Sequence, residues 1–271
     1  MPNKPSPAIK SLLFGLALLY RIIASETHAA QLEPWQSSAY VLKSFIEIAM
    51  FNEYSPGSAG IRKWTTPIGY FFVHRTGDQV LHEKLARMHL EQLSEITGLS
   101  IKPAPTQKSA NLLIIFSTEA QLQNELLNDF GISNKQQRET LFRRSVCVGH
   151  FALAGDASIS RAVVIIPVDR ASAHAKLVDC IVEEITQVLG LPNDSEKVFP
   201  SIFNDKSVDS LLSGLDYLLL KMLYDPRIKT GMNLQQAAPV LKTIADEFER
   251  NDLIKTAEAK VRAGRLYELL Y

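Results

Sequence analysis

The 271-residue chain reads as an α+β domain, with one mixed twisted sheet backed by helices and further helices at the C-terminus. Three observations predict this. Apolar residues recur at helical spacing in several long segments, short β-branched and aromatic runs stand between those segments, and the chain from Leu234 onward reads as one or two amphipathic helices. Hydrophobic residues make up 46% of the chain and charged ones 21%, enough apolar material for a substantial core and too little charge for a disordered chain.

The order of elements follows from local signals. In SSAYVLKSFIEIAMFNEY, Val41, Phe45, Ile48 and Ala49 mark a helix that breaks at SPGSAG. IRKWTTPIGYFFVH is aromatic and β-branched and ends at TGD, as a strand does. From Val80 to Thr97, Leu81, Leu85, Met88, Leu93 and Ile96 mark a helix stopped by Gly98. ANLLIIFS is a short buried strand, and Glu119 to Phe142 is polar and helical, interrupted by GISN. CVGHFALAG and ISRAVVIIPV form a hairpin across a Gly-Asp turn. A helix from Ala171 to Leu189 is closed by Gly190, and another through LLSGLDYLLLKMLY stops at Asp225-Pro226.

The first 30 residues carry Lys4 and Lys10, the apolar run SLLFGLALLY, and small residues up to Ala29 and Ala30. That order predicts a secretory signal or an N-terminal anchor, and so an exported, periplasmic or secreted protein. The division expected is 1–30 signal or anchor, 31–232 main domain, 233–271 helical extension. In an exported chain a lone cysteine pair is more often bridged than metal-bound, so a Cys147–Cys180 disulfide is expected. The 29 basic residues balance 29 acidic ones and no basic cluster interleaves with aromatics, which argues against a nucleic-acid partner.

CIVEEITQVLGLPNDS, Cys180 to Ser195, resembles the active-site helix of the metzincin zinc peptidases, H-E-x-x-H-x-x-G-x-x-H. In that register Glu184 and Gly190 match, while Glu183, Gln187 and Asn193 stand where the family has its zinc-binding histidines. PSIFND resembles the Met-turn, with Phe203 in place of methionine, LLSGLDYLLLKMLYDP the last catalytic-domain helix, and IRKWTTPIGYFFV the first strand. The resemblance covers about Ile61 to Asp225 and implies a metzincin-like (zincin-like) fold with the chemistry removed. A closer likeness is to the bacterial family called domain of unknown function 2927. It rests on EE-x-T-Q-x-L-G-L-x-N-D, on S-I-F-N-D, on Leu223 to Arg227 and on Gly231-Met232. Members of that family are commonly exported or lipoproteins and carry no established activity.

At the ligand positions this chain offers one carboxylate and two amides, so no tight zinc site and no cofactor are expected. His174 lies nine residues before Glu183, roughly 13 Å along a continuous helix, and His82 and His89 are about 10 Å apart, too far to share an ion. His74 and His150 read as lone structural histidines. Glu183, Asn193, Asp194, Asn204 and Asp205 are oxygen donors that calcium accepts, but they lack a calcium-loop spacing. On the helix, Lys176, Asp179, Glu183 and Gln187 form a polar stripe, and Glu184 projects at its boundary with the buried one.

These features predict a noncatalytic pseudo-metallopeptidase scaffold that binds a protein or peptide partner, with cleft residues Glu183, Gln187, Asn193, Asp194 and Phe203. The alternative is a hydrolase with a rearranged site, using Glu184 as its base with a non-zinc or weakly held cation. A third reading gives the helices after Leu234 a docking role, against self-packing as the expectation.

Overall fold

The run LLIIFS becomes the centre of the sheet because all six of its residues are buried. The computed structural model describes residues 33–51, 59–207 and 210–271, so the expected signal segment and most of the SPGSAG break lie outside the described residues. The sheet is built from β1 (Lys63–Trp64), β2 (Ile68–His74), β3 (Ile101–Pro103), β4 (Leu112–Ser117), β5 (Val148–Leu153) and β6 (Ser158–Pro167). The path runs β1-β6-β4-β2-β3 with parallel pairings, and β5 pairs antiparallel with β6.

Two-residue alternation divides the inner strands between two apolar layers. Leu112, Ile114, Phe116, Val164 and Ile166 face the main core, and Leu113, Ile115, Val163 and Ile165 face a smaller one. The main-core face is covered by α2 (Gln79–Thr97) and α6 (Leu177–Gln187), which pack on each other, and α7 (Gly214–Leu223) packs on α2. The smaller core is roofed by α3 (Glu119–Asn128), through Leu122 and Leu126, and by the side chains of Leu141 and Phe142 from α4 (Lys135–Arg144). A buried triad ties this roof to the sheet: Ser117 Oγ donates to Glu125 Oε2 at 2.8 Å, and Arg75 Nη1 donates to Glu125 Oε1 at 2.8 Å.

The helices α8 (Leu234–Arg250), α9 (Leu253–Arg262) and α10 (Arg265–Leu270) pack on α1 (Ser38–Ala49), α7 and α2 respectively. Ala237, Leu241, Ile244, Ile254, Ala257, Val261 and Leu266 join the main core. Gln92 of α2 donates to the Val261 carbonyl at 2.9 Å, and the Gly214 amide at the start of α7 donates to Glu258 Oε2 at 2.8 Å. The apolar stripe of these helices is therefore spent on the chain itself.

Three expectations are corrected. The IRKWTTPIGYFFVH run is two strands, split by Thr65 to Pro67, since proline has no amide to give a ladder. The short edge strand β3 was not anticipated, because three residues carry no period. The continuous helix from Ala171 to Leu189 is instead α5 (Val168–Ala173), a break, and α6. Ala175 sits at the break with φ 55°, and the Lys176 amide closes the turn on the Ala171 carbonyl at 2.8 Å. The straight-helix distance from His174 to Glu183 does not apply, and His174 is exposed. No helix among the described residues is long and apolar enough to cross a membrane.

Candidate functional site

Helix α6 is held at both ends by side chains from distant elements. Near its start, Cys180 is disulfide-bonded to Cys147, the residue just before β5. At its exit, the Trp64 indole donates to the Val188 carbonyl at 2.8 Å and the buried Tyr224 hydroxyl donates to the Leu189 carbonyl at 2.8 Å. These bonds serve carbonyls that a helix end leaves unpaired. Gly190 follows at φ 116°, and a Cβ there would collide with the Arg62 carbonyl, so the turn needs glycine for conformation and for space. Midway, the Thr186 hydroxyl gives its proton to the Val182 carbonyl at 2.6 Å and accepts from His89 Nε2 at 2.9 Å. That bond fixes His89 as the Nε2–H tautomer, and full burial drives its imidazole down to about 3.

The two glutamates diverge, as neighbours about 100° apart on a helix must. Glu184 is buried and lies under β5, where a Cβ at Gly149 would stand 2.9 Å from its Oε2. Glu183 turns away from the apolar core into a polar surface depression lined by Lys176, Asp179, Ile202, Asn204, Asp205, Ser207 and Ser210. Protein surrounds Glu183 on nearly every side, yet its oxygens keep contact with water through this opening. Burial holds the Glu183 carboxyl well above the usual carboxylate range, helped by the charges of Asp194, Glu184 and Asp205 and opposed by Lys176.

Beside α6 runs the outer edge of β5. The Ala162 amide donates to the Asn111 carbonyl, so the backbone groups of Ala162 and Val164 point to β4 while those of Val163 and Ile165 point to β5. Their partners Val148 and His150 use the β6-facing side. The N–H and C=O groups of Gly149 and Phe151 therefore face the other way, and no described strand pairs with them.

The remaining cleft residues are drawn together by the turn after α6. Gln187 donates to Asp194 Oδ1 at 2.7 Å, and Asn193 is buried, its side chain donating to the Glu47 carbonyl of α1 at 2.9 Å. Both amides thus hold the loop in place. Phe203 is fully buried in the main core. Asn204 donates to the Val198 carbonyl at 2.9 Å, and Asp216 of α7 accepts from Ser201 Oγ and the Ile202 amide, at 2.6 and 3.1 Å, fixing the same turn. His74 is bonded to Glu83 at 3.0 Å, and the His150 ring lies tilted against Phe130 on the far side of the sheet, 5.6 Å between centroids. Among the described residues, no group of three or more His, Cys, Asp and Glu side chains is placed to hold a metal ion.

Sequence reasoning missed Gly149, whose only signal was a glycine inside a strand, a mark of close backbone approach. It also left Asp179 as one member of a polar stripe. In the fold Asp179 reaches the depression, and its Oδ1 is buried without a hydrogen-bond partner.

No curated protein and no solved structure matches the chain. Residues 38–243 match the family described as "Protein of unknown function (DUF2927)", a span running from α1 into α8 and containing the whole sheet, α6 and the depression. The chain belongs to the DUF2927 family of proteins of unknown function.

Proposed function

We propose that the protein is an exported, noncatalytic binding protein on a metzincin-like frame, and that its ligand is an extended polypeptide segment laid along the outer edge of β5. The observation that carries this reading is the N–H and C=O groups of Gly149 and Phe151, which no described strand pairs with, on a strand whose preceding residue, Cys147, is disulfide-bonded to the helix of the depression. An extended peptide pairs with such an edge through its main chain and leaves side chains to sample the neighbouring surface. The frame is supported by the order strand, helix, strand, polar helices, hairpin, helix, turn, helix, and by Gly190 and the buried Phe203 turn in their expected places. Export is supported by the N-terminal sequence and by the disulfide, which an oxidising compartment maintains.

Catalysis is disfavoured by how the polar groups are engaged. Gln187 and Asn193 are bonded to Asp194 and to α1, and Glu184, the residue in the general-base position, is buried against Gly149 while the depression opens over Glu183. Incubating the purified protein with short unstructured peptides tests the reading by mass spectrometry. Peptides should bind and be recovered intact with and without zinc. Metal-dependent cleavage that Glu184→Gln abolishes would overturn it.

A further inference from the structure

The depression over Glu183 of α6 has an unbalanced charge. Among the described residues, Asp179, Glu183 and Asp205 line it against the single ammonium of Lys176, and Asp194 adds a further carboxylate near Glu183. Such clusters on ordinary surfaces are met by solvent or by nearby donors. Here Glu183 is half-buried and accepts no hydrogen bond from any described residue, and Asp179 Oδ1 is fully buried with none. A buried carboxylate without donors is costly unless something supplies them. Other carboxylates of the main domain have found theirs: Asp216 takes Ser201, Ser213 and the Ile202 amide, and Glu125 takes Arg75 and Ser117. The one described ammonium, Lys176, leaves the carboxylates of the depression in excess, and Asn204, Ser207 and Ser210 add neutral polar atoms at its rim.

We propose that this depression receives a basic side chain, lysine or arginine, of the polypeptide that pairs with the β5 edge. The proposal rests on the strand-edge reading and adds the specificity to it. Glu183 and Glu184 are consecutive, with Glu184 under Gly149, and an added strand would lie about 5 Å beyond β5. In this proposal a long basic side chain from that strand reaches along α6 to bring its charged head to Glu183 and Asp179, where Ile202 supplies apolar lining for its alkyl stem. A metal ion suits the site less well, since among the described residues no three ligand side chains converge there.

The test measures binding of capped, extended peptides that differ only at a central lysine, norleucine or glutamate, to the parent protein and to Glu183→Gln and Asp179→Asn variants. Calcium chloride and spermidine serve as competitors, and amide exchange at Gly149 and Phe151 is followed in parallel. The lysine peptide should bind at least about tenfold tighter than the norleucine peptide, with the glutamate peptide weakest. The preference should collapse in both variants while Gly149 and Phe151 stay protected. Equal binding of lysine and norleucine peptides with those amides protected would overturn the specificity and leave the strand-edge reading standing. A lysine preference unchanged in both variants would place the recognition elsewhere and overturn this site. Displacement of the peptide by calcium at equimolar concentration would mark a metal site instead, and no binding to any peptide would overturn both readings.

Discussion

Glu184 and Gly149 are in close contact: a Cβ on any other residue at position 149 of β5 would lie only 2.9 Å from the Glu184 Oε2 of α6. The same virtual Cβ would lie 3.1 Å from Val188 Cγ1 and 3.2 Å from the Glu184 carbonyl, so the strand seats on the helix only through glycine. Gly149→Ala should destabilise the fold by about 1 to 3 kcal/mol through overpacking. Urea unfolding would check it, and in a double-mutant cycle Glu184→Ala should recover part of the loss, because the two sites touch.

The Cys147–Cys180 bridge closes a segment of 33 residues that includes the whole β5–β6 hairpin. Replacing both cysteines by alanine should cost about 3 to 4 kcal/mol on chain-entropy grounds. The larger local effect should be at the edge strand, with amide exchange in Val148 to Phe151 accelerated more than in β4. Hydrogen exchange with the pair intact and removed would measure both.

Two buried groups give pH dependences of opposite sign. His89 titrates at about 3 in the fold against 6.5 when free, so between those values the unfolded chain holds the extra proton. Its contribution is whole above pH 6.5 and is lost as pH falls. Asp216 is raised by burial to about 6 from 3.8, against the pull of its Ser201 and Ser213 donors, so the folded chain holds the extra proton and stability is lost as pH rises from 3.8 to 6. Each slope is at most about 1.4 kcal/mol per pH unit. Relative to the parent, His89→Gln should lose stability as pH rises through this range and Asp216→Asn should gain it. Denaturant titrations at several pH values between 4 and 6.5 would reveal whether the two differences run in opposite directions.

Asn193 holds the turn after α6 to α1. Asn193→Ala should cost about 1 to 3 kcal/mol, since its bond to the Glu47 carbonyl is made in a buried place. Purification without chelators followed by added EDTA should leave the melting temperature unchanged. A fall on chelation that zinc reverses would show that a metal contributes to stability.

The helices and the central strands were legible because their signals are local and repeated. Leu112 to Phe116 form an unbroken apolar run, and the spacing of Leu85, Leu93 and Ile96 fixes one face of α2. The break before α6 was not legible: it turns on Ala175 in a left-handed conformation, and alanine is the strongest helix former. The opposed directions of Glu183 and Glu184 could be read from helix geometry. What lies under or beside them could not, because the meeting of Glu184 with Gly149 depends on the register of β5 along β6 and the depression depends on a turn held by Asp216. Those are relations between segments tens of residues apart, which a pattern within one segment does not encode.

Amide exchange at Gly149 and Phe151, resolved residue by residue with and without a saturating lysine-containing extended peptide, tests the binding account most directly. Their N–H groups face the open edge, so the account predicts strong protection at these two positions on binding, with little change at Val148 and His150, already bonded to β6. Peptide binding that leaves Gly149 and Phe151 exchanging at their free rate would contradict it.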